Sequence, residues 1–147
     1  MKKLEDEDLK QSYIKKYDLF SCFTMDMSPF MELFKFNPNE MILEANKDLE
    51  YLFFHVEGSA EIYLLLENDN LLLRSFSRPL TILGEVEIWK RKIQCNVKAV
   101  TDCFLVGIPI DKIIKFCDND PLFLKKIVQE LNRKIFFMNK MTPVNLY

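Results

Sequence analysis

Between Leu49 and Pro109 apolar and polar residues alternate with a period of two, and turn residues interrupt the alternation roughly every eight to twelve positions. Tyr51–Glu57 is the clearest case: Leu52, Phe54 and Val56 point one way, and Tyr51, Phe53 and His55 the other. Gly58 then fits a turn or bulge that needs no Cβ. A return strand at Ser59–Leu66, a hairpin loop at Glu67–Asn70 and a strand at Leu71–Phe76 follow. Further strands are predicted at Met31–Phe36, Met41–Glu44, Leu80–Leu83, Gln94–Ala99 and Phe104–Ile108, about eight in all. Short strands with no βαβ alternation predict a mainly β fold with flanking helices, arranged as a double-stranded β-helix jelly roll.

The period changes at both ends. Leu9, Tyr13, Tyr17 and Phe20 recur at helical spacing and predict an amphipathic helix within Leu4–Ser21, with Ser28-Pro29 breaking the pattern. After Pro109 a short helix is expected at Asp111–Phe116. Asp120-Pro121 then opens a second one, with Asp as N-cap and Pro at the first helical position; it reaches about Met141 and Pro143 ends it. Along it Leu124, Val128, Leu131, Ile135 and Met138 follow steps of four, three, four and three, a heptad seam suited to a second copy of the helix. Phe123, Ile127 and Phe137 form a second apolar stripe for the chain's own core, while Lys125, Lys126, Arg133 and Lys134 read as polar faces. The expected partner is another copy of this chain, a homodimer; burial of the whole helix within one monomer is the alternative. The expected organisation is a helical segment at 1–29, a jelly roll at 30–109, two helices at 110–141 and a hinge at 142–147.

Composition narrows the chemistry. Of 147 residues 49% are hydrophobic, enough for one substantial core, and thirteen Phe are available to fill it. A net charge of −2 carries no electrostatic footprint for nucleic acid, so any DNA contact belongs to another segment. Cys22, Cys95, Cys103 and Cys117 form no Cys-x-x-Cys or Cys/His cluster and read as reduced thiols of a cytoplasmic protein. MKKLEDEDLK has no apolar run behind its lysines, and no stretch is long and apolar enough to span a membrane. With His55 as the single histidine, no Gly-x-Ser-x-Gly, no His-Glu-x-x-His and no P-loop, neither catalytic residues nor a metal site are expected. His55 reads as a hydrogen-bonded structural imidazole, and Trp89 as a residue closing one end of the barrel.

The order of the punctuation is that of a known family. Glu57-Gly58-Ser59 ends a strand, Gly84-Glu85 follows, and Val97-Lys98-Ala99 leads into Thr101-Asp102-Cys103. This resembles the cyclic-nucleotide-binding sensor domain of the CRP/FNR transcription regulators, over about Phe30 to Met141. The resemblance implies a jelly roll followed by a dimerisation helix, and a phosphate-binding cassette within Leu83–Ala99. In nucleotide-binding members a Gly-Glu pair precedes an Arg-Ser/Thr-Ala-x-Val-x-Ala strand. The Glu accepts from the ribose hydroxyl, and the Arg holds the cyclic phosphate. Here Gly84, Glu85, Val97 and Ala99 match, Gln94 and Cys95 stand at the Ser/Thr and Ala positions, and Ile93 replaces the Arg. Candidate ligand contacts are therefore Gly84, Glu85, Gln94 and Cys95, with Arg91, two residues before Ile93, as the substitute cation. Glu85 is otherwise a surface or capping carboxylate at the start of a short turn. The cassette is degenerate: a cyclic nucleotide or other small anionic effector is disfavoured by Ile93, since burying an anion without a charge-assisted donor is costly. The resemblance also implies a DNA-binding helix-turn-helix beyond the hinge; the expectation is that 1–147 is a fragment of a longer regulator, the alternative being a protein that lacks a DNA-binding half. The rival readings are a stand-alone nucleotide-binding module that regulates a partner protein, and a ligand-free scaffold.

Overall fold

The structure, a computed structural model, describes residues 1–65 and 71–140, with side chains for 1–64 and 75–134. In chain order it contains β1 (Lys2–Leu4), α1 (Glu7–Lys16), β2 (Glu32–Phe36), β3 (Met41–Leu43), β4 (Tyr51–Glu57) and β5 (Ala60–Leu65). There follow β6 (Leu71–Ser77), β7 (Thr81–Leu83), β8 (Asn96–Ala99), β9 (Cys103–Pro109), α2 (Ile110–Cys117) and α3 (Pro121–Lys140). Single 3₁₀ turns lie at Leu19–Cys22 and Ser28–Phe30. The strands form two antiparallel sheets, ordered β1-β2-β9-β4-β7 and β3-β8-β5-β6, the two layers of the expected jelly roll.

The period-two pattern of β4 is buried on both sides, because its sheet has rings on one face and helices on the other. Phe54 meets Phe23 edge-on, and Phe23 stacks on Phe123 of α3 at 5.4 Å, while Tyr13 of α1 packs on Phe104. On the opposite face Phe34, Phe36, Tyr51 and Phe53 meet one another at centroid distances of 4.9–6.0 Å. Each fully buried Phe contributes roughly 1.5–3 kcal/mol by transfer from water.

Gly58 has φ +94°, and a Cβ there would lie 2.1 Å from the Asp102 carbonyl oxygen, so the β4–β5 turn admits only glycine. Asp120 caps α3 as its sequence predicts, accepting from the N–H of Leu122 at 3.0 Å and, at longer range, of Phe123. It also accepts from the Thr24 N–H and hydroxyl, which ties the N-terminal segment to α3. Burial opposes charge on Asp120, but the Thr24 bonds and the α3 N–H groups outweigh it and hold the carboxyl below its usual range.

Several boundaries differ from the sequence expectation. The first helix begins at Glu7, not Leu4, because Asp6 caps it through the Leu9 N–H at 3.0 Å and Lys2–Leu4 pair with β2 instead. The segment 1–29 is therefore part strand and joins the sheet. The strand expected from Gln94 begins at Asn96; residues before it turn, with Arg91 at φ +68°. The hairpin loop at 67–70, the helix stop at Pro143 and the hinge at 142–147 lie outside the described residues, as do the side chains of Ile135, Phe137 and Met138.

Candidate ligand site

A cavity of about 290 Å³ opens between the inner wall of the four-stranded sheet, the segment 81–87 and α3. That is near the small end of the range for organic ligands. Its walls are mostly apolar, with Leu43 and Ile62 from the sheet, Leu83 from β7, Val97 from β8 and Leu131 from α3. Gly84 turns the chain at its lip with φ +96°, and a Cβ there would come within 3.0 Å of the Leu49 side chain and 3.4 Å of the Tyr51 carbonyl oxygen, so the turn packs closely on Leu49.

Polar groups concentrate on one side. Glu85 is 2% exposed and forms an ion pair with Lys134 of α3, whose ammonium also donates to the Ile82 carbonyl at 2.6 Å. Glu87 is 6% exposed and accepts from the Gln94 N–H at 3.3 Å. Burial pushes its carboxyl up, with the nearby Glu85 acting in the same direction. Arg133 pairs with Glu130 at 3.0 Å, and Glu130 in turn meets the Ile82 N–H at the limit of hydrogen-bond distance. The free edge of β7 is thus tied to α3 through both backbone groups of Ile82.

Of the residues singled out by sequence, Gly84, Glu85 and Cys95 line this cavity. Glu85 is buried rather than a surface carboxylate. Gln94 is exposed, its side-chain amide donating to the Lys92 carbonyl at 3.2 Å. Arg91 sits on a turn, not a strand, so the parity that would aim it inward does not operate. Its guanidinium donates to Asp111 at 3.2 Å and to the Leu49 carbonyl at 3.3 Å, and it is not among the residues lining the cavity. Ile93 is 5% exposed within the core, its backbone paired with that of Asn46 and Lys47 at 2.9 Å. Trp89 does not close the barrel: it is 52% exposed and donates its indole N–H to Asp118 at 3.0 Å.

Sequence reasoning missed Lys134, which it placed on a polar face. Glu85 and Lys134 are 49 positions apart and only the fold brings them together. Along the seam Leu124 is half-buried, Val128 is 54% exposed, and Leu131 packs on the core and lines the cavity. His55 has both ring nitrogens engaged, with Ser77 at 2.7 Å and the Glu57 carbonyl at 3.1 Å. Burial raises the thiols of all four cysteines, Cys103 to about 11 and Cys117 to about 12, which suits packing rather than redox or metal chemistry. Among the described residues no cluster of His, Cys, Asp and Glu suits a metal ion, and no helix is long and apolar enough to cross a membrane.

Comparison with known proteins agrees with this architecture. The family model of the cyclic nucleotide-binding domain matches residues 33–120. Regulatory protein YeiL of Escherichia coli O157:H7 is 28% identical over 114 residues, covering 77% of this chain and 52% of that protein. The chain therefore spans about half the length of this curated relative. The sensor domain of the transcriptional regulator DNR from Pseudomonas aeruginosa superposes with a TM-score of 0.67 at 10% identity, covering 90% of each chain. A transcriptional regulator from Thermotoga maritima gives 0.58 at 21% identity, covering 79% of this chain and 99% of the other. At such identities the two solved structures establish the fold.

Proposed function

This chain belongs to the cyclic nucleotide-binding domain family, and we propose that it is the effector-sensing and dimerisation module of a CRP/FNR-type transcription regulator whose phosphate cassette no longer serves a cyclic nucleotide. One observation carries the reading of the cassette. Glu85, at the position of the family's ribose-binding carboxylate, is closed off by Lys134, and the position of the phosphate-binding Arg is a core isoleucine. Losing a charge-assisted partner costs on the order of a few kcal/mol, which moves micromolar binding to roughly the 100 μM–mM range. Calorimetry of residues 1–147 with cyclic AMP and cyclic GMP tests this: no saturable heat at micromolar concentrations is expected, and a micromolar dissociation constant for either nucleotide contradicts it.

Dimerisation is supported by the seam along α3, where Val128 is an exposed apolar side chain on a helix whose other face holds Phe123 and Ile127 in the core. Sedimentation at tens of micromolar, roughly the range of weak association, should give dimers for the wild type and monomers for Val128→Asp. Because Leu131 lines the cavity, a charge at that position would test folding and assembly together, and Val128 is the cleaner site. DNA contact is assigned to a further segment of the full regulator. In a mobility-shift assay at physiological salt, residues 1–147 alone should bind duplex DNA only weakly.

A further inference from the structure

The cavity beneath α3 is balanced in charge among its described residues, and this limits what it accepts. Its wall carries two carboxylates, Glu85 and Glu87, and two cations, Arg133 and Lys134. Both cations are engaged, Lys134 with Glu85 and Arg133 with Glu130. An incoming anion meets two buried carboxylates and gains a cation only by stripping one from its partner, which leaves a buried charge unpaired. A hydroxyl in the place of the Lys134 ammonium would bond to Glu85 and leave its charge uncompensated. An ammonium in that place preserves both the hydrogen bond and the charge.

Lys134 is free to give way. Its side chain is 25% exposed, against 2% for Glu85, so its flexible stem reaches solvent while the carboxylate stays buried. Leaving costs it the bond to the Ile82 carbonyl and opens the space beside Leu83, Val97 and Leu131.

We infer that the cavity is a site for a small apolar primary amine, whose ammonium replaces that of Lys134 on Glu85 while its hydrocarbon body lies against Leu83, Val97 and Leu131. The inference rests on reading this cavity as the effector site and supplies the class of effector. Lys134 is then a built-in competitor. Because it belongs to α3, ligand and helix contend for the same carboxylate, and occupancy is linked to how firmly α3 is held.

The probe is n-butylammonium in phosphate buffer, with 1-butanol, butyrate and cyclic AMP as comparisons, followed by thermal unfolding and calorimetry. Removing the competitor in Lys134→Ala should tighten butylammonium binding on the order of tenfold over wild type and raise the melting temperature on adding the amine. Butanol and butyrate should do neither, and Glu85→Gln/Lys134→Ala should lose the response. Should Lys134→Ala not fold, the wild type still decides: saturable butylammonium binding that Glu85→Gln abolishes supports the inference, and its absence overturns it. An equal response to butanol, or none to the amine in folded Lys134→Ala, also overturns it. Micromolar binding of cyclic AMP to wild type overturns the degenerate-cassette reading and this inference with it. Absence of both cyclic AMP binding and an amine response overturns the inference alone.

Discussion

Two neighbouring regions of the jelly roll satisfy their interior in opposite ways. Around Phe53 the sheet is filled by rings from β2 and β4, and β9 contributes Gly107 to make room. A Cβ there would lie 2.9 Å from the Phe34 ring and 3.0 Å from that of Phe53. On the other side of β4 from Gly107, Phe53 pairs with Leu83, and there the filling stops: β7 borders a cavity and is tied to α3 by Glu130 and Lys134, which bond to the Ile82 N–H and carbonyl, while Lys134 also pairs with Glu85 just beyond the strand. The first region is held by shape, with many small contacts and no spare volume. The second is held by a few charged contacts across an empty space. Substitutions in the first should therefore act on stability, and those in the second on ligand and helix.

The sharpest break of this contrast is Phe53→Ala. Losing a buried ring against three aromatic neighbours, with Gly107 unable to fill the gap, should cost about 3–5 kcal/mol, read from the urea midpoint. A cost below about 1 kcal/mol would show that the cavity side collapses into the space and that the two regions are one continuous soft interior.

His55 sharpens the comparison on the filled side. Burial depresses its ring from 6.5 to about 4, with backbone hydrogen bonds opposing. The ring is thus neutral in the folded chain and protonates more readily in the unfolded one. The stability this confers is complete above pH 6.5 and is lost as pH falls toward 4, by about 2 kcal/mol at pH 5. Glu87, whose carboxyl is pushed up by burial, works in the opposite direction. The difference between wild type and His55→Gln between pH 7 and pH 5 isolates the ring. Equal slopes for the two proteins would mean that His55 is not held neutral.

The filled region was legible in the chain and the cavity was legible only in part. Alternation in Tyr51–Glu57, the turn at Gly58 and the Asp120-Pro121 helix start are local signals, and each stands where it was expected. Strand β1 was missed because three residues carry too little periodicity to be told from a helix extension, and the Asp6 cap that separates them is a single side chain. At the cavity, Gly84 and Glu85 stood out through their place in a motif, and Cys95 by counting along it. Lys134 had no such marker. A lysine among polar neighbours on a helix reads as solvated, and its partner becomes visible only when a turn 49 residues earlier folds beneath it. Arg91 failed for a related reason: strand parity was extended to a residue that lies on a turn.

The smallest effect is expected at Arg91, and it tests whether the boundary of the cavity is rightly drawn. Its backbone holds the loop, with its N–H donating to the Glu87 carbonyl at 2.7 Å and its own carbonyl accepting from Leu49 at 2.6 Å. Both bonds survive truncation of the side chain. The guanidinium is 39% exposed and its partner Asp111 is 84% exposed, so their pairing is screened by water and is worth at most about 1 kcal/mol. At φ +68° the residue also carries backbone strain that glycine would relieve. Arg91→Ala should lower stability, read from the urea midpoint, by less than about 1 kcal/mol and Arg91→Gly by less still, with butylammonium affinity unchanged in both. A change in ligand affinity would place the guanidinium at the cavity, and the line between the filled and the open region would then have to run through residues 91–93.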